Sequence, residues 1–147
     1  MHQSNLNHFQ KAQDFHYTTA LSEIKNGKKH NHWMWFIFPQ VLGLGNSEVS
    51  KRFGISSIEE ATAYLDHPIL GARLICITTE VLNLKNTTPT KIFGILNAKK
   101  LHSSMTLFAE VSSNTPVFAQ VLAKYYGNQR CKRSLELLEW HMKKNLG

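Results

Sequence analysis

The sequence predicts an all-α protein, a compact irregular multi-helical single domain of about seven or eight short helices. Three observations predict it. Apolar residues recur at i, i+3 or i+4, and i+7 along most of the chain, the spacing of one helix face. Start and stop signals bracket these runs, with Ser, Thr or Asp before them, Pro in the first turn and Gly after them. The run that could read as a buried strand, Trp33 to Phe38, has no second clear strand to pair with. At 147 residues the chain fits one domain, large enough to bury a core without staples.

Taken in order, Leu6, Phe9 and Ala12 lie at helical spacing in a short first helix over Leu6 to Gln13. Asp14 reads as the N-cap of a second, with Tyr17, Ala20, Leu21 and Ile24 on its stripe. Asn26-Gly27 ends it. Lys28-Lys29-His30-Asn31 is a polar loop leading into His32 to Gln40. There, Trp33 to Phe38 have no polar face, so the stretch must be buried. It is predicted as a short helix ended by Pro39. Gly43-Leu44-Gly45-Asn46 is a loop whose glycines lack the spacing of a dinucleotide fingerprint. Ser47 caps a short helix running to Phe53, and Gly54 breaks it. Ser57 with Glu60 is a capping box opening a helix with Ile58, Ala61 and Leu65 inward.

Pro68 suits the first turn of the next helix. That helix is apolar at Leu70, Leu74, Ile77, Val81 and Leu84, and also at Ile69, Ile75 and Leu82, so it should be central. Thr88-Pro89 starts a short helix stopped by Gly94. Asn97 caps a helix with Leu101, Met105, Phe108 and Ala109 inward. Thr115-Pro116 repeats the cap-plus-proline start, with Phe118, Val121, Leu122 and Tyr125 inward and Gly127 as the stop. The last helix, from about Ser134, buries Leu135, Leu138 and Met142. Residues 1–5 are expected to be disordered and residues 6–147 to form the helical domain.

Hydrophobic content of 42% and charged content of 18% are those of an ordinary globular protein. Two cysteines, Cys76 and Cys131, are too few for a disulfide framework. They read as free thiols in a reducing compartment. The first residues lack the basic-then-apolar pattern of a signal peptide, and no apolar run is long enough to span a membrane. A soluble, cytoplasmic protein without membrane partners is expected. The formal charge is +7. The cations are scattered, at Lys25, Lys28 and Lys29, Lys99 and Lys100, Arg130, Lys132 and Arg133, and Lys143 and Lys144. That reads as a basic but ordinary surface, because phosphate-backbone binding needs several cations on one face.

Several blocks stand out together: Phe9 to Gln13, His32 to Gln40, Gly43 to Ser47, His67 to Leu74, and Ser103-Ser104-Met105-Thr106-Leu107-Phe108. They resemble the domain of unknown function 1810 family over about residues 6–138. The resemblance implies a compact all-helical fold in cytoplasmic, mostly bacterial proteins, and no settled activity. Some members carry a calpastatin label, and no residue here supports inhibition of a calcium protease. Relative to the family pattern, Asn97 and Ala98 stand where acidic residues are frequent before Lys100. His102 stands where arginine is common, and Cys131 lies near a frequent aspartate. Loss of those carboxylates would alter any chemistry they perform in relatives.

Two groups of residues could carry function. His32, Trp33, Trp35 and Gln40 bracket an aromatic stretch. Trp faces stack on flat rings, a histidine serves as acid or base near neutral pH, and glutamine reads a polar edge. His32 is the catalytic candidate. Asn97, Lys100, Ser103 and Ser104 occupy the first turns of a predicted helix, where free N–H groups, an ammonium and hydroxyls suit an anion. Arg73 could add an anion clamp, although a surface ion pair explains it too.

His30 and His32 lack a third ligand, so no metal is expected, and the residues identify no cofactor. No base stands beside Cys131 to make it a nucleophile. The reading these residues favour is a site for an anionic, nucleotide-like small molecule in an aromatic-walled pocket, with an enzymatic role left open. The alternative is a basic module that binds protein or nucleic acid without catalysis.

Overall fold

The computed structural model describes residues 5–112 and 114–146. The expectation of disorder at the extreme N-terminus falls mainly on residues outside that range. Nine helices run through the described residues: α1 (Asn7–Lys25), α2 (Met34–Ile37), α3 (Glu48–Phe53), α4 (Ile58–Asp66), α5 (Leu70–Asn83), α6 (Pro89–Phe93), α7 (Ile95–Val111), α8 (Val117–Tyr126) and α9 (Lys132–Leu146). No strand forms among them. A single parallel bridge, Val41 to Ile55, ties the loop after α2 to the loop after α3 through Leu42 N–H to Ile55 O and Ile55 N–H to Gln40 O, both 2.8 Å.

Several starts follow the side-chain chemistry of the sequence. Ser47 Oγ accepts from Ser50 N–H, Ser57 Oγ from Glu60 N–H and Thr88 Oγ1 from Lys91 N–H, so orphan N–H groups at these ends are satisfied. His67 does the same for α5, its Nδ1 accepting from the N–H groups of Ile69 and Leu70 at 3.1 Å.

Four boundaries differ from the sequence reading. Asp14 starts no helix: α1 runs through it unbroken, and the Asp14 carboxylate meets Arg73 Nη2 at 2.9 Å across the surface. Asn97 is not a cap but lies in the first turn of α7, because Gly94, at φ 84°, turns the chain so that Ile95 is already helical. Thr115 likewise caps nothing; Pro116 occupies the cap position of α8 without a side-chain bond. The last helix begins two residues before Ser134, at Lys132.

The helices share one apolar core. Its centre is α7 rather than α5. Leu101, Met105, Leu107 and Phe108 are fully buried, and α7 packs against α4, α6, α8 and α9. In α5 the buried stripe is Leu70, Leu74, Ile77 and Val81, as expected, while Ile69 is 39% exposed and Cys76 faces out. Met142 is also exposed, contrary to its expected burial.

Buried polar groups join the helices where apolar contact alone would let them slide. Gln13 Nε2 donates to Phe36 O at 2.8 Å and to Tyr64 Oη at 2.7 Å, fixing α1 to α2 and α4. Tyr126 Oη donates to Ala98 O at 2.6 Å and Tyr125 Oη to Val81 O at 2.8 Å, fixing α8 to α7 and α5. Such long-range bonds specify one packing among several apolar alternatives.

Candidate functional site

One carboxylate organises the loop between α1 and α2. Glu23 is buried near the end of α1. Its Oε1 accepts from His30 N–H at 2.7 Å, Asn31 N–H at 3.0 Å and Trp33 Nε1–H at 2.9 Å, while Oε2 accepts from the Asn31 amide. Burial pushes this carboxyl up, but the donors from His30, Asn31 and Trp33 outweigh burial and hold it at about 2. Lys29 N–H adds a bond to Ile92 O at 2.8 Å, joining the loop to α6.

This frame sets the wall of a cleft of about 310 Å³, lined by Lys29, His32, Met34, Trp35, Phe36, Ser47, Val49, Asn97 and Lys100. Three regions supply the walls: the loop into α2, the start of α3, and the first turns of α7. Gly45 permits the approach of the α3 side, since a Cβ there would lie 3.0 Å from Trp35 Cζ2 and from Ser50 Cβ.

Among the described residues, two lysines and no carboxylate line the cleft. Lys100 Nζ sits 4.9 Å from the centre of the Trp35 ring, and Lys29 Nζ sits 5.0 Å from the Trp33 ring. A cation over an indole face is attracted by the ring quadrupole. Lys29 Nζ also donates to Asn31 O. Burial pulls the Lys29 ammonium below its ordinary range, the Glu23 charge pushes it back up, and Lys100 pulls it down. Burial alone pulls Lys100 down. An anion entering here would meet two ammoniums that have lost part of their hydration, so Coulomb attraction is less damped than at an open surface.

Four residues singled out in the sequence meet in this cleft: His32, Trp35, Asn97 and Lys100. The other five lie elsewhere. Trp33 is fully buried, its ring in the core and its N–H on Glu23. Gln40 is fully buried, donating to Phe38 O at 3.4 Å, with Oε1 unpartnered. Arg73 is engaged with Asp14 and lies 5.4 Å over the Tyr17 ring. Ser103 Oγ meets Ser134 Oγ at 2.6 Å inside the α7–α9 contact, and Ser104 is fully buried with Oγ unpartnered.

Lys29, Met34, Phe36, Ser47 and Val49 line the cleft without having been singled out. Lys29 had a signal, a lysine in the polar loop that leads into the aromatic stretch. Ser47 and Val49 arrive only through tertiary packing.

A wider apolar depression of about 560 Å³ lies along α9, lined by Ile58, Glu110, Leu135, Leu138, Glu139, Met142 and Lys143. Its charged groups are paired already, Glu110 with Arg130 at 3.5 Å and Glu139 with Lys143 at 3.1 Å. It offers no converging set of unpaired polar groups, which is what marks a ligand site. Among the described residues no three His, Cys, Asp or Glu side chains converge as metal ligands, and no helix is long and apolar enough to cross a membrane.

No curated protein matches this sequence. Among solved structures, the conserved hypothetical protein Rv1873 from Mycobacterium tuberculosis is similar, with 45% sequence identity and a TM-score of 0.89. The match covers 91% of this chain and 96% of that one. The family model for a protein of unknown function, DUF1810, matches residues 3–138. With all its helices up to the middle of α9 inside that match, the chain belongs to the DUF1810 family.

Proposed function

We propose that the protein binds an anionic small molecule carrying a flat ring, nucleotide-like in character, in the cleft between the 29–36 segment and the start of α7. The observation that carries this reading is the pair of lysines, Lys29 and Lys100, lining a cleft that has an indole wall and, among the described residues, no carboxylate. The anion would replace water around the two ammoniums. The ring would stack on Trp35, taking the place that Lys100 Nζ holds over it, and Lys100 would turn toward the anion. Asn97 would offer its amide to a polar edge. His32, exposed at the lip, is the imidazole suited to acid–base chemistry near neutral pH if the bound molecule is turned over. The unpaired thiols of Cys76 and Cys131 suit a reducing compartment, and we place the protein in the cytoplasm.

A thermal-shift series with mononucleotides, sugar phosphates and inorganic phosphate tests the binding. A ligand at 100-fold excess over its Kd stabilises the native state by about 2.7 kcal/mol. The expected result is a rise in Tm with a ring-bearing anion, lost in Trp35→Ala and Lys100→Ala proteins that still fold. A Tm unmoved across the panel would sink the reading.

A second reading, a basic module for a protein or nucleic-acid partner, is favoured by a different observation. Ile95 and Leu96, beside the cleft residue Asn97, are 66% and 72% exposed. Binding of RNA or DNA that weakens steeply with salt would support its nucleic-acid form. Absence of binding at low salt would remove that form.

A further inference from the structure

Cations occur throughout the chain, but the net charge does not. Every residue that lines the cleft comes from residues 25–52 or 88–100. These two segments hold eight of the 17 lysines and arginines and one of the 10 acids, Glu48. The rest of the chain carries nine of each and is neutral. The whole excess of +7 therefore belongs to the segments that build the cleft. Among the described residues none of those eight cations forms an ion pair. Glu23, just before the first segment, is buried under the donors from His30, Asn31 and Trp33.

The fold brings these segments together. The bond from Lys29 N–H to Ile92 O sets the loop that carries Lys28 beside α6, which carries the exposed Lys91. On the α3 side, Val49 lines both the cleft and a second depression, of about 560 Å³, whose other lining residues are Glu48, Lys51 and Arg52. The cleft thus opens along α3 onto two more unpaired cations, beyond the reach of a single phosphate seated between Lys29 and Lys100. A nucleic-acid backbone supplies one anion per nucleotide and so matches a path of this kind. Trp35 offers a face on which one base can stack, as aromatic side chains do in single-strand binding sites. The bases of a duplex are held in their own stack and do not reach a cleft wall, so the chemistry selects a single strand.

We propose that the ligand is a single-stranded nucleic acid. One nucleotide enters the cleft, with its base on Trp35 and its phosphate at Lys29 and Lys100, and the strand continues across Val49 to bring a further phosphate to Lys51 and Arg52. This rests on the reading of the cleft as a nucleotide site and extends the ligand beyond it. Glu48 is the one acid on the path and opposes the strand.

Fluorescence anisotropy with a labelled ten-nucleotide single strand, with a mononucleotide as the comparison ligand, tests this in the full-length protein. The ten-nucleotide strand is expected to bind on the order of tenfold tighter than the mononucleotide or better, with an affinity that falls steeply with salt. Each phosphate contact adds about 0.7 to the slope of log affinity against log salt, so Lys51→Gln with Arg52→Gln should lower that slope by about 1.4. Lys143→Gln with Lys144→Gln removes the same charge from the end of α9 and should change the slope far less. Glu48→Gln should tighten strand binding by about two- to fivefold. A ten-nucleotide strand that binds no tighter than the mononucleotide would overturn the proposal. So would an equal loss of slope in the two double variants, which would reduce the effect to net charge, or displacement of the strand by a ten-residue polyglutamate as readily as by unlabelled strand. Each of these leaves the mononucleotide reading standing. That reading fails instead when Trp35→Ala leaves mononucleotide affinity unchanged.

Discussion

Glu23 carries no chemistry in the cleft, yet it decides the cleft's shape. Its carboxylate gathers two backbone N–H groups, the Asn31 amide and the Trp33 indole, and these fix the loop that presents Lys29 and His32. Because the folded carboxyl titrates at about 2 rather than the ordinary 4.5, its contribution to stability is complete above about pH 4.5 and is lost as pH falls toward 2. The shift corresponds to roughly 3 kcal/mol of that stability. Urea denaturation across this range should show the wild-type protein losing stability more steeply than Glu23→Gln. Equal slopes would mean that the carboxylate is not what holds the loop. The sequence could not have singled out Glu23. It is one acid on a helix, and its value comes from a Trp ten residues on that folds back over it. The same fact explains Trp33. Two tryptophans separated by one residue look interchangeable in a sequence, but Trp33 points inward to Glu23 and the core while Trp35 remains half-buried at the cleft.

Elements were legible where the signal was local. The caps at Ser47, Ser57 and Thr88 are written in three or four residues, and the helices begin where they say. Asp14 and Thr115 carry similar local signals and fail, because a tertiary partner claims Asp14 and a proline takes the cap position after Thr115. Ser103 and Ser104, offered by the sequence to an anion at the start of α7, are instead buried together with Thr106, small hydroxyl side chains that let neighbouring helices approach. The turn between α6 and α7 depends on Gly94, whose φ of 84° is one that other residues adopt only with strain. A Cβ there meets no atom within 4 Å, so Gly94→Ala isolates the conformational cost. It should lower stability by about 1–3 kcal/mol in denaturant titration. Because Asn97 and Lys100 ride on that turn, ligand affinity should fall in the same variant. A variant as stable as wild type would show that α7 can begin in another way.

At the scale of the molecule, the match to a relative 45% identical over 91% of the chain establishes the fold and the family without naming an activity. The sequence carried the fold class because helical spacing and stop signals repeat along the whole length. It carried the cleft only in part. His32 and Trp35 belong to one stretch and Asn97 and Lys100 to another, and their meeting depends on the packing that α6 and Gly94 impose between them. The positive charge is spread over the surface, yet the cleft brings two lysines together with no carboxylate among the described residues that line it.

Titration of a mononucleotide into nitrogen-15-labelled protein, read by the shifts of backbone amide signals, tests ligand binding in the cleft most directly. The perturbed amides should cluster in residues 29–36, 47–49 and 94–100, and the Trp35 indole signal should move with them while the buried Trp33 signal moves less. Perturbations gathered instead at Arg130, Lys132 and Arg133, or signals unmoved at saturating ligand, would contradict it.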